Sequence, residues 1–297
     1  MRDPALIRML PDGRRLHLHD GPIDVIVEAD GNPQAISAAC ESAARRFVSI
    51  LDELCSELPL LRSRVQRNSQ SPRGPVAQRM FAAVEPYCEQ CFITPMAAVA
   101  GAVAETILES MLGAASLDRA YVNNGGDIAL HLADRQSYKI GMVERPDCPS
   151  LFGSLEISSA DPVRGIATSG WRGRSFSLGI ADAVTVLADS ASSADAAATV
   201  IANAVNLPAH PGIMRVPARE ISPDSDLGDL RVTRGVESLS DSEIFAALDS
   251  GFRVAETLRA RGLIHSSAFC LQSHTRVVSP MLAQVSIDHS QRSFLHA

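Results

Sequence analysis

The sequence predicts an α+β fold in which helices flank a mostly antiparallel sheet. Short segments of alternating apolar and polar residues follow one another across short turns, which is typical of antiparallel strands. Four longer segments carry apolar residues at helical spacing, near residues 34–57, 95–112, 192–205 and 241–261. Hydrophobic residues make up 46% of the 297 residues, which is enough to build a sizeable core around such a sheet.

Charge and composition exclude some classes of function. The formal net charge of −7 argues against a general nucleic-acid binder, because phosphate backbones require a basic surface. The apolar-rich stretch 93–104 is too short to span a bilayer, and the N-terminus lacks the apolar run of a signal peptide. We therefore expect a cytoplasmic protein with neither a nucleic-acid nor a membrane partner.

The first elements are predicted to be a hairpin and a long helix. Alternating apolar residues in Arg14–His19 and Ile23–Glu28 flank a Gly-Pro turn. A helix follows from Asn32 and presents one apolar face to the sheet. The next segment, 57–79, is rich in proline, serine and arginine and predicts a long, mobile surface loop. Its arginines either guard an anionic substrate or belong to a solvated linker.

A second helix is predicted to begin directly after Thr94, because proline occupies the first helical position. Its first half is a run of alanine and glycine. Such small side chains allow very close packing against a strand or a ligand, so we expect this helix to be buried.

The segment Asn124-Gly125-Gly126-Asp127 joins two predicted strands and is the central motif of the chain. Two consecutive glycines allow φ > 0 and let backbone N–H groups approach a ligand, as phosphate-binding turns require. Asp127 supplies the charge of the motif. The same residues also fit an ordinary hairpin turn, in which asparagine and glycine satisfy the backbone geometry.

Short strands account for much of the second half of the chain. They are predicted at 137–143, 151–157, 164–168, 183–187 and 263–271. Ser169-Gly170 ends the third of these strands. The segment 206–230 is rich in proline and aspartate and predicts a loop, after which Asp241 is expected to cap a helix. The tail from residue 279 is expected to be irregular.

The helix near 192–205 offers a candidate metal site. Ser192 and Asp195 have the spacing of a capping box, in which the carboxylate would bond back to the chain. Thr199 lies one turn beyond Asp195 on the same face. A carboxylate and a hydroxyl at this spacing could instead hold a hard cation such as Mg²⁺, which prefers oxygen ligands.

Two other groups of potential metal ligands are weaker candidates. Cys88 and Cys91 form a C-x-x-C motif among six cysteines, without the second ligand pair that structural zinc usually needs. Two thiols that enter a buried segment are the better interpretation. His17 and His19 share one strand face, but no third ligand accompanies them, so we expect them to face solvent.

Three motifs in a fixed order resemble those of the ApbE-like superfamily, whose best-known members are the FAD:protein FMN transferases. Val122–Ile128 resembles the family motif V-N-x-G-G-D-I. Ala194–Thr199 resembles A-D-A-x-x-T, and Ala167–Gly170 resembles the strand that ends in S-G. The resemblance covers roughly residues 94–206 of the chain.

This resemblance implies a T-fold-related, ApbE-like architecture, in a single domain over 1–297. It also implies that Asp195 and Thr199 coordinate Mg²⁺ and that FAD or FMN is a substrate or ligand. A homodimer is a further expectation, although no specific residue supports it.

The sequence departs from the flavin transferases at two positions that matter for activity. The family's lysine in A-K-G-x-x-x-D is replaced by Ala100, and no H-x-x-D-P-x-T-G stretch follows Ser169-Gly170. Trp171 and Arg172 stand there instead, and they either contact a ligand or form a surface turn. The chain is therefore closer to an uncharacterised cytoplasmic branch of the superfamily, which shares the fold without necessarily sharing the activity.

These observations lead to one main hypothesis and two alternatives. The main hypothesis is a Mg²⁺-dependent enzyme acting on a flavin nucleotide or a similar pyrophosphate-containing cofactor, as an FMN transferase or FAD hydrolase. Its predicted residues are Asp127 and Asp195 for catalysis, Asn124, Gly125, Gly126, Thr94, Ser169 and Gly170 for cofactor binding, and Asp195 and Thr199 for the metal. The first alternative is a non-catalytic binder of a flavin, pterin or nucleotide, or a cofactor-biosynthesis enzyme that reuses the pocket. The second is an interaction protein in which the turn and helix are structural.

Overall fold

A computed structural model describes residues 4–143 and 151–278. Its strands are β1 (Leu6–Met9), β2 (Leu16–Asp20), β3 (Ile23–Asp30), β4 (Arg119–Asn124), β5 (Asp127–Leu132), β6 (Ser137–Val143), β7 (Leu151–Ser158), β8 (Gly165–Ser169), β9 (Ala183–Ala188), β10 (Ile213–Pro217), β11 (Arg231–Val236), β12 (Ser266–Leu271) and β13 (His274–Val278). Its helices are α1 (Pro33–Ser56), α2 (Leu58–Leu61), α3 (Pro75–Val84), α4 (Val99–Ala114), α5 (Ala191–Ala204), α6 (Ala218–Ile221) and α7 (Asp241–Ala260), with 3₁₀ helices at Glu85–Tyr87 and Pro95–Ala98. The tail predicted to be irregular from residue 279 lies outside the described residues.

The main sheet is antiparallel and has the strand order β1-β2-β3-β4-β5-β8-β9-β12-β13. The contact between β5 and β8 is short, since it pairs Ile128 with Ile166 and Ala129 with Gly165. Strands β6 and β7 form a separate hairpin, as do β10 and β11. The predicted α+β class with a mostly antiparallel sheet is confirmed.

Helices cover one face of the main sheet. Helices α1 and α4 pack on β2, β3 and β4, whereas α5 and α7 pack on β9 and β12. The β6–β7 hairpin covers part of the opposite face, where Ile157 belongs to the same core cluster as Leu130 and Leu187. Val186 and Leu187 are consecutive in β9 and belong to different core clusters, so β9 is buried on both faces.

Helix α4 and the 3₁₀ turn before it form a long apolar segment. The segment Pro95–Ala114 is 20 residues long with a mean hydropathy of 1.3, so by length and composition it could cross a membrane. The apolar segment is therefore longer than the stretch 93–104 identified from the sequence. Half of the segment is buried inside the protein, and its buried side chains, such as Ile107 and Met111, belong to the core cluster shared with α1. Core helices of this kind satisfy the same criterion.

The segment 57–79 is less irregular than predicted. It contains α2 and the first half of α3, and the residues between these helices lack regular structure. Pro75 occupies the first turn of α3, and Val76, Met80 and Val84 are buried on one face. The proline and arginine content of the preceding residues masked this helical spacing.

The loop predicted at 206–230 was also wrong in part, because it contains β10 and α6. Strand β10 is stabilised by pairing with β11, a strand that the sequence did not predict.

Helix α7 is capped by Ser240 rather than Asp241. Ser240 and Glu243 form a capping box, in which Glu243 accepts from Ser240 N–H at 2.8 Å.

Candidate functional site

The Gly125-Gly126 pair connects β4 to β5 as a two-residue turn. The two residues have φ values of 69° and 113°, a backbone region that favours glycine. Asn124 and Asp127 pair directly across the turn. Asn123 Oδ1 accepts a hydrogen bond from Gly126 N–H at 2.8 Å, so this N–H group is bonded within the turn. The turn therefore fixes the position of Asp127 at the start of β5.

Asp195 lies early in α5 and bonds to a different helix. Ser190 caps α5 by accepting a hydrogen bond from Ser193 N–H at 3.3 Å. The capping box that the spacing of Ser192 and Asp195 suggested does not form. Instead, Asp195 Oδ2 accepts a hydrogen bond from Gly101 N–H at 3.0 Å, near the start of α4. The carboxylate is therefore directed away from its own helix terminus.

A cavity of about 440 Å³ separates the β4–β5 turn from α5 and from the segment after β8. Cavities of this size are typical of small-molecule sites. The lining residues are Ala100, Asn123, Gly125, Gly126, Asp127, Ile128, Ile140, Gly141, Ile166, Thr168, Ser169, Gly170, Gly173, Arg174, Ser175, Thr185, Asp195 and Thr199. Residues far apart in the sequence thus face one cavity, with both candidate catalytic carboxylates among them.

The two carboxylates have raised pKa values. Burial raises the pKa of Asp127 to about 7, although a hydrogen bond from Thr168 N–H at 3.2 Å and the charge of Arg174 both lower it. Burial also raises the pKa of Asp195 well above its usual range, and the nearby charge of Asp127 raises it further. The pair therefore resists carrying two negative charges unless a cation compensates them.

The donor set fits Mg²⁺ better than zinc. Asp127, Asp195 and Thr199 contribute oxygen atoms to one cavity, and Mg²⁺ is commonly held by one or two carboxylates with water and substrate phosphates completing its shell. Among the residues that the structure describes, no group of three or more His, Cys, Asp or Glu side chains could hold a metal ion. The arrangement therefore suits a cation whose coordination shell is completed by water and substrate oxygens.

Two residues predicted to bind the cofactor lie outside the cavity lining. Asn124 is buried, and its Nδ2 donates to Ala100 O at 3.2 Å. Thr94 is also buried and donates to Asp226 Oδ2 at 2.5 Å. Both side chains connect elements around the site. The other predicted residues, Gly125, Gly126, Asp127, Ser169, Gly170, Asp195 and Thr199, all line the cavity.

Trp171 and Arg172 contact a buried aspartate and do not line the cavity in the described structure. Trp171 Nε1 and Arg172 Nε both donate to Asp182 Oδ1, at 3.0 and 2.7 Å, and the guanidinium lies 4.4 Å from the centre of the indole ring. The hypothesis that they form a ligand contact therefore has no support from the cavity lining, and they anchor the segment after β8.

The sequence analysis did not identify several lining residues. Asn123 lies on the opposite strand face from Asn124, and strand alternation was the signal that could have separated the two. Thr168 and Thr185 line the cavity and their hydroxyls are 3.0 Å apart. Arg174 follows Gly170 by four residues and gave no signal beyond its charge.

The other candidate metal ligands lie elsewhere. Cys88 is buried in the core, and Cys91 is partly buried with its Sγ donating to Tyr87 O at 3.7 Å, which agrees with thiols entering a buried segment. His19 is exposed as expected, whereas His17 is partly buried, with 14% of its side chain exposed and its Nε2 lying 2.8 Å from Asp24 Oδ1.

Comparisons with known proteins identify a family that matches most of the chain and relatives that match part of it. A family model described as AbpE bacteria matches residues 7–277. A UPF0280 protein of Methanopyrus kandleri is 37% identical over 182 residues, which cover 61% of this chain and 69% of the relative. A UPF0280 protein of Methanothermobacter thermautotrophicus is 38% identical over 136 residues, and the match spans half of its length. The resemblance to the ApbE-like superfamily is confirmed, and these UPF0280 relatives agree with an uncharacterised branch of it.

Two solved structures show a weaker likeness. The flavin transferase ApbE from Vibrio cholerae has a TM-score of 0.42 and 12% identity, with 94% of this chain and 99% of that chain covered. The flavinyl transferase ApbE from Pseudomonas stutzeri, in its apo form, has a TM-score of 0.38 and 12% identity, with 96% and 98% covered. Because these scores are low, neither likeness carries an argument about the site.

Proposed function

Because the chain belongs to the bacterial AbpE family, we propose that it is a cytoplasmic, Mg²⁺-dependent enzyme acting on a flavin nucleotide or a similar pyrophosphate-containing cofactor. It would act as an FMN transferase or as an FAD hydrolase. One observation carries this proposal: Asp127 and Asp195 face a single cavity beside the Gly125-Gly126 turn. Two uncompensated carboxylates are costly to bury together, so their placement favours a cation-dependent function.

Asp195 and Thr199 would hold Mg²⁺, with Asp127 as a further oxygen ligand or as the partner of a bound water. A bound Mg²⁺ would neutralise negative charge on the phosphate oxygens during cleavage of the pyrophosphate bond. The Gly125-Gly126 turn would let phosphate groups pass close to the backbone without a Cβ in the way. Gly126 N–H already donates to Asn123, so the turn acts by shape rather than through that donor.

Asp127 also suits proton transfer. In the metal-free protein burial raises the pKa of Asp127 to about 7, and a Mg²⁺ ion held beside it would lower this pKa, so that the ionised carboxylate would be available as a general base at neutral pH. The carboxylate would accept the proton of the attacking hydroxyl group or water as the new bond to phosphorus forms. Thr168 N–H donates to Asp127 Oδ1 at 3.2 Å, which leaves the other carboxylate oxygen to accept the proton.

A specific observation favours a second candidate function, a flavin, pterin or nucleotide binder without turnover. Ala100 lines the cavity, and it stands where the resemblance places the lysine of the flavin transferases. An alanine there contributes neither charge nor a proton. This candidate predicts stoichiometric ligand binding without release of AMP from FAD.

The deciding experiment incubates the purified protein with FAD, with and without Mg²⁺. Bound flavin is followed by fluorescence and AMP release by chromatography in the same samples. Mg²⁺-dependent AMP release that disappears in Asp195→Asn supports the enzyme. The matched control is Asp134→Asn, which removes a carboxylate with 90% of its side chain exposed and should leave the rate unchanged. Flavin binding without AMP release in the native protein would support the binder, and an unchanged rate in Asp195→Asn would contradict the proposed role of Asp195.

A further inference from the structure

Arg174 lies at the mouth of the cavity, directly against the glycine turn. Its Nη2 atom is 1.5 Å from the position that a Cβ on Gly125 would occupy. Any side chain at residue 125 would therefore displace the guanidinium. Gly125 thus serves two purposes: its φ of 69° suits the turn, and its missing side chain makes room for Arg174.

The guanidinium of Arg174 differs in its partners from the arginine two residues earlier. Arg172 pairs with Asp182 at 2.7 Å, so its side chain is used within the fold. Among the described residues, Arg174 makes no hydrogen bond or ion pair, and the side chain is exposed. A guanidinium stays charged at any pH at which the protein folds and presents donors shaped for phosphate oxygens.

Charge is divided across the cavity. Asp127 and Asp195 provide negative charge, and Arg174 is the one side chain with a permanent positive charge among the described lining residues. A ligand that combines a divalent cation with phosphate groups complements both regions at once. The cation would face the two carboxylates, and phosphate oxygens would face the guanidinium.

We propose that Arg174 is the phosphate-recognition residue of this site, holding phosphate oxygens against the Gly125-Gly126 turn and selecting phosphate-bearing flavins over riboflavin. This inference rests on the proposed function for its choice of flavin ligands. The geometry that carries it, a guanidinium that makes no hydrogen bond or ion pair with the described residues and lies against a side-chain-free turn, applies to any pyrophosphate compound. A charge-assisted contact to phosphate predicts a loss of about 10- to 100-fold in affinity when the guanidinium is removed.

The test measures binding of FAD, riboflavin and inorganic pyrophosphate to the full-length protein by calorimetry with Mg²⁺ present. Arg174→Gln should lose at least about tenfold in affinity for FAD and pyrophosphate and retain its affinity for riboflavin. Arg174→Lys keeps the charge without the forked donors, so its affinity for FAD and pyrophosphate should fall between those of the native protein and Arg174→Gln. Arg45→Gln is the matched control, because Arg45 lies on α1 with 69% of its side chain exposed and does not line the cavity.

The outcomes separate this inference from the proposed function. Arg174-dependent binding of pyrophosphate without any FAD turnover would support the inference while the flavin activity failed. FAD turnover with unchanged FAD and pyrophosphate affinity in Arg174→Gln would overturn the inference alone. Equal losses for riboflavin and FAD would also overturn it, since they would show a structural role. Absence of FAD and pyrophosphate binding by the native protein would overturn both.

Discussion

Gly101 N–H donates to the Asp195 carboxylate across the contact between α4 and α5, with an N···O distance of 3.0 Å. The two helices can approach this closely because residue 101 is glycine. A Cβ at that position would lie 2.3 Å from the carbonyl oxygen of Ala191. The predicted metal ligand is therefore held in place by a helix that contributes only backbone at the point of contact.

Gly101→Ala should destabilise the protein by about 1 to 3 kcal/mol, because the added methyl group must push α4 away from α5. It should also weaken Mg²⁺ binding, since the displaced N–H group no longer orients Asp195. Gly113→Ala in the same helix is the control, because nothing lies within 4 Å of the position of its Cβ. That variant should be neutral or gain about 0.5 to 1 kcal/mol. Urea unfolding measures the stability of both variants, and equal stabilities would contradict the close-packing argument.

A second bond runs between the same helices in the opposite direction. Glu105 on α4 accepts a hydrogen bond from Ser192 N–H on α5 at 2.5 Å and also pairs with Arg79. Glu105→Ala should cost about 1 to 3 kcal/mol, because it leaves a buried N–H group without its acceptor. Glu109 is the other carboxylate partner of Arg79, and 71% of the Glu109 side chain is exposed. Glu109→Ala should therefore cost less than about 1 kcal/mol. Thermal unfolding distinguishes the two, and similar losses would show that the Arg79 ion pairs, not the Ser192 bond, provide the stability.

Local patterns predicted those elements whose signals are contained in a few consecutive residues. The turn at Gly125-Gly126 was predictable because only a two-residue connection separates alternating strands there. Strand β6 was predicted with the bounds Ser137–Val143 that the structure shows. Strands β11 and β13 were missed, because each is short and depends on a partner strand rather than on its own sequence.

The site was predictable to the extent that its residues belong to sequence motifs. Asp127, Asp195 and Thr199 belong to such motifs and do meet in one cavity. Asn124 was chosen over Asn123, although consecutive strand residues point to opposite faces. The contact of Asp195 with Gly101 joins residues 94 positions apart, and no local pattern encodes it. Local spacing suggested a capping box instead.

Removing the Asp195 carboxylate should abolish stabilisation of the protein by Mg²⁺. If the native protein binds the cation, Mg²⁺ at 100 times its Kd should add about 2.7 kcal/mol to the free energy of unfolding. Asp195→Asn keeps an oxygen that can accept from Gly101 N–H, so it should fold normally and show no such gain. The measurement is thermal unfolding with Mg²⁺ and with EDTA, with Asp134→Asn as the control. Full stabilisation of Asp195→Asn would show that the cation binds elsewhere.

Asp127 should make the metal-free protein less stable as the pH rises. Its pKa is raised to about 7 in the folded state from an ordinary value of 3.8, so the folded protein holds this proton more tightly than the unfolded chain. The stabilisation from that proton is present below about pH 4 and is lost as the pH rises to about 7.

Asp127→Asn removes this loss and keeps an acceptor for Thr168 N–H. In EDTA at pH 8, the variant should therefore be more stable than the native protein by about 1 to 3 kcal/mol. This gain is smaller than the free energy that corresponds to the full pKa shift, because the carboxyl group is partly open to the cavity. At pH 3.5, below the ordinary carboxyl pKa of 3.8, the difference should be small, because the Asp127 carboxyl is then mostly protonated in the unfolded chain as well. Urea unfolding at both pH values measures it, and a difference that stays constant with pH would show that the Asp127 carboxyl does not titrate in this range.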